Sequence, residues 1–258
     1  MKKLLQLLRD NANPRAEGTE PAIRLDISSG ATRIYVYDVI DAWWGASAAA
    51  LNEAFKAAGG VDVHLHINSP GGDVFEARAM AQAVVNYSGQ VAVHIDGLAA
   101  SAATYLALSG NTLSMTEGGM LMVHESWTLA YGNKGELRKT ADLLAQIDQT
   151  IVADYAKRTG KPVAEVTAWV EAETWFLAAQ ALELGFIDSI DPNTKREADA
   201  NANTNANAKA ASAARWNLSA YANAPKLTPP PEPQPDLAAA AAQQQLANRN
   251  RLRLVGAN

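Results

Sequence analysis

Residues 61–97 read VDVHLHINSPGGDVFEARAMAQAVVNYSGQVAVHIDG, and this stretch decides the fold. Val61, Val63, Leu65 and Ile67 alternate with Asp62, His64 and His66, the period of two that marks a strand with one buried face. The strand runs into Asn68-Ser69-Pro70-Gly71-Gly72, a cluster of turn formers, and the helical pattern DVFEARAMAQAVVNYSG follows from Asp73. QVAVHIDG (90–97) alternates again and reads as the next strand. Strand, helix and strand in succession form a β-α-β unit, whose two strands run parallel.

The same alternation extends in both directions. IRLDI (23–27) and TRIYVYD (32–38) read as strands, and SAAALNEAFKAAGG (47–60) as a helix closed by a glycine pair. An Ala-rich helix begins near Ser101, and NTLSMT (111–116) and GMLMVHES (119–126) read as short strands. A long helix covers about Gly135–Lys157, with Leu137, Ala141, Leu144, Ile151 and Tyr155 along one stripe. VAEVTAWVEAE (163–173) and AAQALELG (178–185) are two further helices. Repeated β-α-β units imply a mainly parallel sheet with helices on its faces.

Composition divides the 258 residues into parts. Residues 1–20 read as a polar, flexible segment, and 21–191 as the folded domain. In 192–235 the character is that of a linker: thirteen of the eighteen residues 197–214 are Ala or Asn, which gives little to bury, and TPPPEPQP (228–235) suits an extended polyproline spacer. Residues 236–258 read as a short C-terminal helix or tail, opened by Asp236 and carrying Arg249, Arg251 and Arg253. A net charge of −5 argues against nucleic acid as the main partner, because phosphate binding needs concentrated Lys and Arg. Without cysteine there is no disulfide, thiol nucleophile or thiolate metal site. The apolar run Leu4–Leu8, broken by Gln6, is too short for a signal peptide or membrane span, so the expected location is cytoplasmic.

Candidate chemistry gathers at two strand-to-helix junctions, NSPGGD (68–73) and GLAAS (97–101). Glycines there let backbone N–H groups approach a ligand, and a helix N-terminus adds free donors and partial positive charge. Ser101 at such a point is a candidate nucleophile, which needs a base. Of the four histidines, His64 and His66 share one strand face and His94 lies on the next strand. An H-x-H pair suits a metal ion, but no third ligand lies near it in the sequence, so no metal is expected and these read as polar sheet positions or subunit contacts. His124 ends the strand MLMV, where a side chain emerges at the mouth of a site.

INSPGGD, then GLAAS, then MLMVH, then FLAAQALELGFIDSI, in this order across about residues 23–191, resemble the proteolytic subunit of Clp protease, most closely its phage and prophage head-maturation branch. The resemblance implies a Clp- and crotonase-like β-α-β superhelix followed by a disordered tail, and a serine endopeptidase without cofactors. Carried over, Ser101 is the nucleophile, His124 its base, and the N–H groups of Gly72 and Ala102 the oxyanion hole, with Gly71 shaping the turn. The family's acid falls at Glu173 in EAETWFLAAQ, with Glu171 and Thr174 as alternatives.

The resemblance further implies heptameric rings joined through the segment from Ser126 to Gly160. Two roles follow: cleavage of capsid or scaffold precursors inside a prohead, which the tail favours as a targeting segment, or general degradation fed by a hexameric ATPase. A crotonase-type acyl-CoA enzyme would use Glu or Asp in place of Ser and His, and a Ser–Lys dyad would need Lys134 or Lys139 at a matching motif. A catalytically silent ring subunit would have lost Ser101 or His124, and both are present.

Overall fold

A computed structural model describes residues 3–11, 21–27, 30–192 and 216–225. The expected Ala/Asn-rich linker, polyproline spacer and C-terminal helix lie outside the described residues, apart from 216–225.

The chain opens with helix α1 (Lys3–Asn11), where a flexible segment was expected. Strands β1 (Ile23–Asp26) and β2 (Thr32–Val36) pair antiparallel. Helix α2 (Ala48–Ala58) starts where the Ser47 hydroxyl accepts from the Ala50 N–H and stops at Gly59, which takes the left-handed conformation. Strand β3 (Val63–Ser69), helix α3 (Val74–Asn86) and strand β4 (Val91–Ala100) form the β-α-β unit, with the Asp73 carboxylate capping α3. Val61 falls before the strand and is exposed, because the Tyr87 hydroxyl holds its carbonyl in the preceding turn.

Helix α4 (Ala102–Ala107) is followed by strands β5 (Thr112–Thr116) and β6 (Met120–Val123). Helix α5 (Lys134–Thr159) begins with a capping box between Asn133 and Glu136. Helix α6 (Val163–Glu171), strand β7 (Thr174–Leu177), helix α7 (Ala178–Glu183) and strand β8 (Ser189–Asp191) complete the domain. β7 and β8 have no counterpart in the sequence pattern.

The main sheet runs β1-β2-β3-β4-β5-β8 and is parallel from β2 onward. β4 is long enough to serve two partners. Its first half pairs β5, and Leu98–Ala100 pair β6, which in turn pairs β7 antiparallel. GLAA is therefore strand, not loop, and all four of its residues are buried. The core fills the space between sheet and helices with Ile34, Leu65, Ile67, Ile95, Met80 and Leu106, each fully buried.

α5 carries its apolar stripe differently from expectation. Of the expected stripe Ile151 and Tyr155 are buried, joined by Ile147 and Val152, whereas Leu137 and Ala141 are exposed. Within the expected linker, Trp216, Leu218, Ala220 and Tyr221 are buried, so this stretch belongs to the folded unit. Its aromatic and aliphatic residues stand out from the Ala/Asn background before it. Among the described residues no helix is long and apolar enough to cross a membrane.

Candidate active site

The turn between β3 and α3 is fixed against Ile40. Its N–H donates to the Gly71 carbonyl, and its carbonyl accepts from the Asp73 N–H, both at 2.8 Å. In such a parallel bridge the intervening residue, Gly72, turns its own N–H to the opposite side. Both glycines are required sterically. A Cβ on Gly72 (φ +150°) would lie 2.0 Å from the Ile40 carbonyl oxygen, and one on Gly71 (φ +90°) 2.9 Å from the Ser101 Cβ.

Ser101 sits where β4 ends and α4 starts. Its N–H donates to the Met122 carbonyl at 2.9 Å, which ties the junction to β6. The Thr104 hydroxyl, fully buried, contacts the carbonyls of Ala99 and Met122 at 2.8 and 2.7 Å and pins α4 to both strands. Ser101 has φ +58° and ψ −122°, a conformation costly for a residue with a side chain. Ala102 is the first residue of α4, so its N–H has no intrahelical acceptor.

His124 follows β6 directly and is buried. Its Nε2 lies 2.7 Å from Ser101 Oγ. The ring stands edge-on to Trp127 at 4.4 Å and to Tyr221 at 5.4 Å. The pairing Val123↔Thr174 closes the β6–β7 ladder, with His124 following Val123 on one strand and Glu173 preceding Thr174 on the other. Glu173 is buried and has φ +49°. Among the described residues, Ser101 and Glu173 are the only non-glycine residues with positive φ. The Glu173 carboxylate accepts from the N–H groups of Ala222 and Asn223 at 2.9 and 2.6 Å, and from the Trp175 indole at 3.4 Å. Glu171 is exposed at the end of α6, and the Thr174 hydroxyl donates to the Trp169 carbonyl at 2.7 Å.

These groups open onto a cavity of about 180 Å³. Gly72, Ala102, Ser101 and His124 line one side, and Val74, Phe75, Leu143, Leu144, Ile147 and Ile151 give the rest an apolar wall. Sequence reasoning missed Leu7 and Tyr221, which also line the cavity. The signal for Tyr221 was available in RWNLSAY, three large apolar residues set in an otherwise polar stretch. Burial pushes the Tyr221 phenol well above its ordinary value, against a lowering by the neighbouring Ser101 hydroxyl.

The other histidines stand apart, on the face of β3 and β4. His64 Nδ1 lies 2.9 Å from His94 Nε2, His66 Nδ1 bonds Asp96 at 2.9 Å, and His94 Nδ1 contacts Ser114 Oγ at 2.8 Å and Asp191 at 3.2 Å. The rings of His64, His94, His66 and Tyr35 stack in a row with centroids 4.8–5.1 Å apart. These rings spend nitrogens on one another and on carboxylates, and no cluster of three potential metal ligands occurs among the described residues.

Comparison with known proteins places this arrangement in a family. The family model for Clp protease matches residues 49–194, more than half of the chain. The ATP-dependent Clp protease proteolytic subunit 1 of Mycobacterium leprae is 30% identical over 144 residues, 55% of this chain and 69% of that protein. The corresponding subunit 2 of Thermobifida fusca is 31% identical over 138 residues, 52% of this chain and 66% of its own length. Subunit 2 of Parasynechococcus marenigrum is 27% identical over 131 residues, again 66% of its length. The chain thus spans about two thirds of these relatives. It belongs to the Clp protease family and is a serine protease of the Clp type, a hydrolase of peptide bonds.

Proposed function

We propose that Ser101, His124 and Glu173 carry an acyl-enzyme mechanism, with the N–H groups of Gly72 and Ala102 as the oxyanion hole. The observation that carries this reading is the 2.7 Å approach of His124 Nε2 to Ser101 Oγ. His124 takes the serine proton as Oγ attacks the peptide carbonyl, then delivers it to the leaving amine. Water repeats the sequence on the acyl-enzyme and frees Ser101. The Gly72 N–H turned away from Ile40 and the Ala102 N–H at the start of α4 suit the oxyanion.

Glu173 is favoured over its neighbours as the third member. It is buried and adjoins Thr174, the pairing partner of Val123 next to His124, whereas Glu171 is exposed and the Thr174 hydroxyl is committed to Trp169. As a carboxylate it would hold the His124 tautomer and offset the charge of the imidazolium. The apolar wall of the cavity fits substrates with an apolar side chain next to the cleaved bond.

The biological role we propose is cytoplasmic protein degradation as a ring subunit working with an ATPase. The relatives named above are subunits of ATP-dependent proteases, which favours this role over the prohead maturation that the sequence placed first. Exposed Leu137 on α5 supplies apolar surface for ring-to-ring contact.

Fluorophosphonate labelling tests the chemistry. Wild type labels at one serine, and Ser101→Ala and His124→Ala each abolish labelling; an unchanged signal in either variant would remove that residue from the mechanism. Addition of a Clp ATPase with ATP tests the role. Degradation of a folded substrate supports it, and cleavage of a scaffold precursor without ATPase response would restore the prohead reading.

A further inference from the structure

We infer that residues Trp216–Asn223 are a built-in occupant of the catalytic site, restricting access to Ser101 until they are displaced. The inference rests on Ser101 being the nucleophile. Trp216, Leu218, Ala220 and Tyr221 are all buried, so the stretch is packed into the protein, not laid over it. The Trp216 indole donates to Asn68 Oδ1 at 3.1 Å, on the strand that leads into the oxyanion turn. The Tyr221 hydroxyl donates to the Pro70 carbonyl, one residue before Gly71. Ala222 and Asn223 bind the Glu173 carboxylate through their N–H groups. One segment therefore engages the turn, the histidine ring and the acid together.

The Tyr221 ring forms one wall of the cavity that Ser101 and His124 also line, edge-on to the His124 ring at 5.4 Å. The single phenol proton is given to the Pro70 carbonyl, which ties that wall to the oxyanion turn. Displacing Tyr221 clears this wall and opens the approach to Ser101.

The test compares the full-length protein with Trp216→Ala/Tyr221→Ala and with Tyr221→Phe, which keeps the ring and removes only the hydroxyl. Each is followed by its rate of fluorophosphonate labelling at Ser101, with circular dichroism melting as the control for folding. The double variant is expected to label about tenfold faster than wild type, since occupancy of a resting state reduces the apparent rate by the fraction that is competent. Tyr221→Phe is expected to label severalfold faster. A synthetic peptide of residues 216–225, added in trans, is expected to slow the double variant, and the same peptide with both aromatics replaced by Ala is not. A folded Tyr221→Phe that labels at the wild-type rate or slower overturns the inference while leaving Ser101 as the nucleophile. Absence of labelling in all three proteins overturns both.

Discussion

Two residues with side chains hold backbone conformations that normally favour glycine, and both belong to the proposed triad. Ser101 at φ +58° is held there by its bond to Met122 and by Thr104 beneath it; Glu173 at φ +49° joins α6 to β7. Such strain costs on the order of 1–3 kcal/mol per residue and persists where the surroundings over-determine it. At Ser101 the consequence is a hydroxyl lifted off the end of β4 toward His124. The glycines opposite are the complementary constraint. Gly72→Ala would drive a methyl into the Ile40 carbonyl, so destabilisation on the order of 3 kcal/mol is expected, with labelling of Ser101 lost in whatever protein folds. Thermal denaturation and probe labelling measured together check this, and an active Gly72→Ala of wild-type stability would mean that the turn can open without cost.

The elements show why part of the design was legible in sequence and part was not. β3, α3 and β4 follow simple periods, because each buries one face against a continuous core, and the polar positions His64, His66 and His94 therefore fell on one sheet face as read. β7 was not legible. Its four residues have no period of their own, and their place is set by pairing with β6. Ser101 and His124 could be located because each ends a readable strand, whereas the bond partners of Glu173 depend on residues 49 and 50 positions away. The histidine row also sets a pH dependence. Burial lowers the His64 pKa from its ordinary 6.5, and repulsion from His94, His66 and Arg33 adds to this, against Asp62. With the folded value below the unfolded one, the unfolded chain binds more protons on acidification. The stability tied to His64 is therefore complete above pH 6.5 and is lost as pH falls through its folded value. Tm is expected to fall between pH 7.5 and about 5, and His64→Gln to fall less; equal slopes for both proteins would assign the acid sensitivity elsewhere.

At the scale of the whole molecule, the two ends of the described chain meet over the catalytic cavity. Leu7 of α1 is buried and lines that cavity together with Tyr221. Asn11 bonds Asn217 reciprocally, its Nδ2 donating to the Asn217 carbonyl at 2.9 Å and its Oδ1 accepting from the Asn217 N–H at 2.6 Å, across 206 positions of sequence. Gln6 adds a bond to the Ser219 hydroxyl. No local pattern could have announced this, because α1 is amphipathic toward a partner that exists only after both ends have folded back. Asn11 thus clasps α1 to the segment that carries Tyr221, and its side-chain bonds go to Leu7 and Asn217, not to the sheet. Asn11→Ala leaves both backbone groups of Asn217 without their side-chain partner, at a cost of about 1 kcal/mol or more. That loss should fall on the clasp and not on the sheet. Labelling of Ser101 is then expected to rise roughly fivefold, the factor that corresponds to about 1 kcal/mol, with little change in Tm. A lowered Tm with unchanged labelling would instead make α1 and the 216–225 segment parts of one structural core, and the resting state would have to be held by Tyr221 and Trp216 alone.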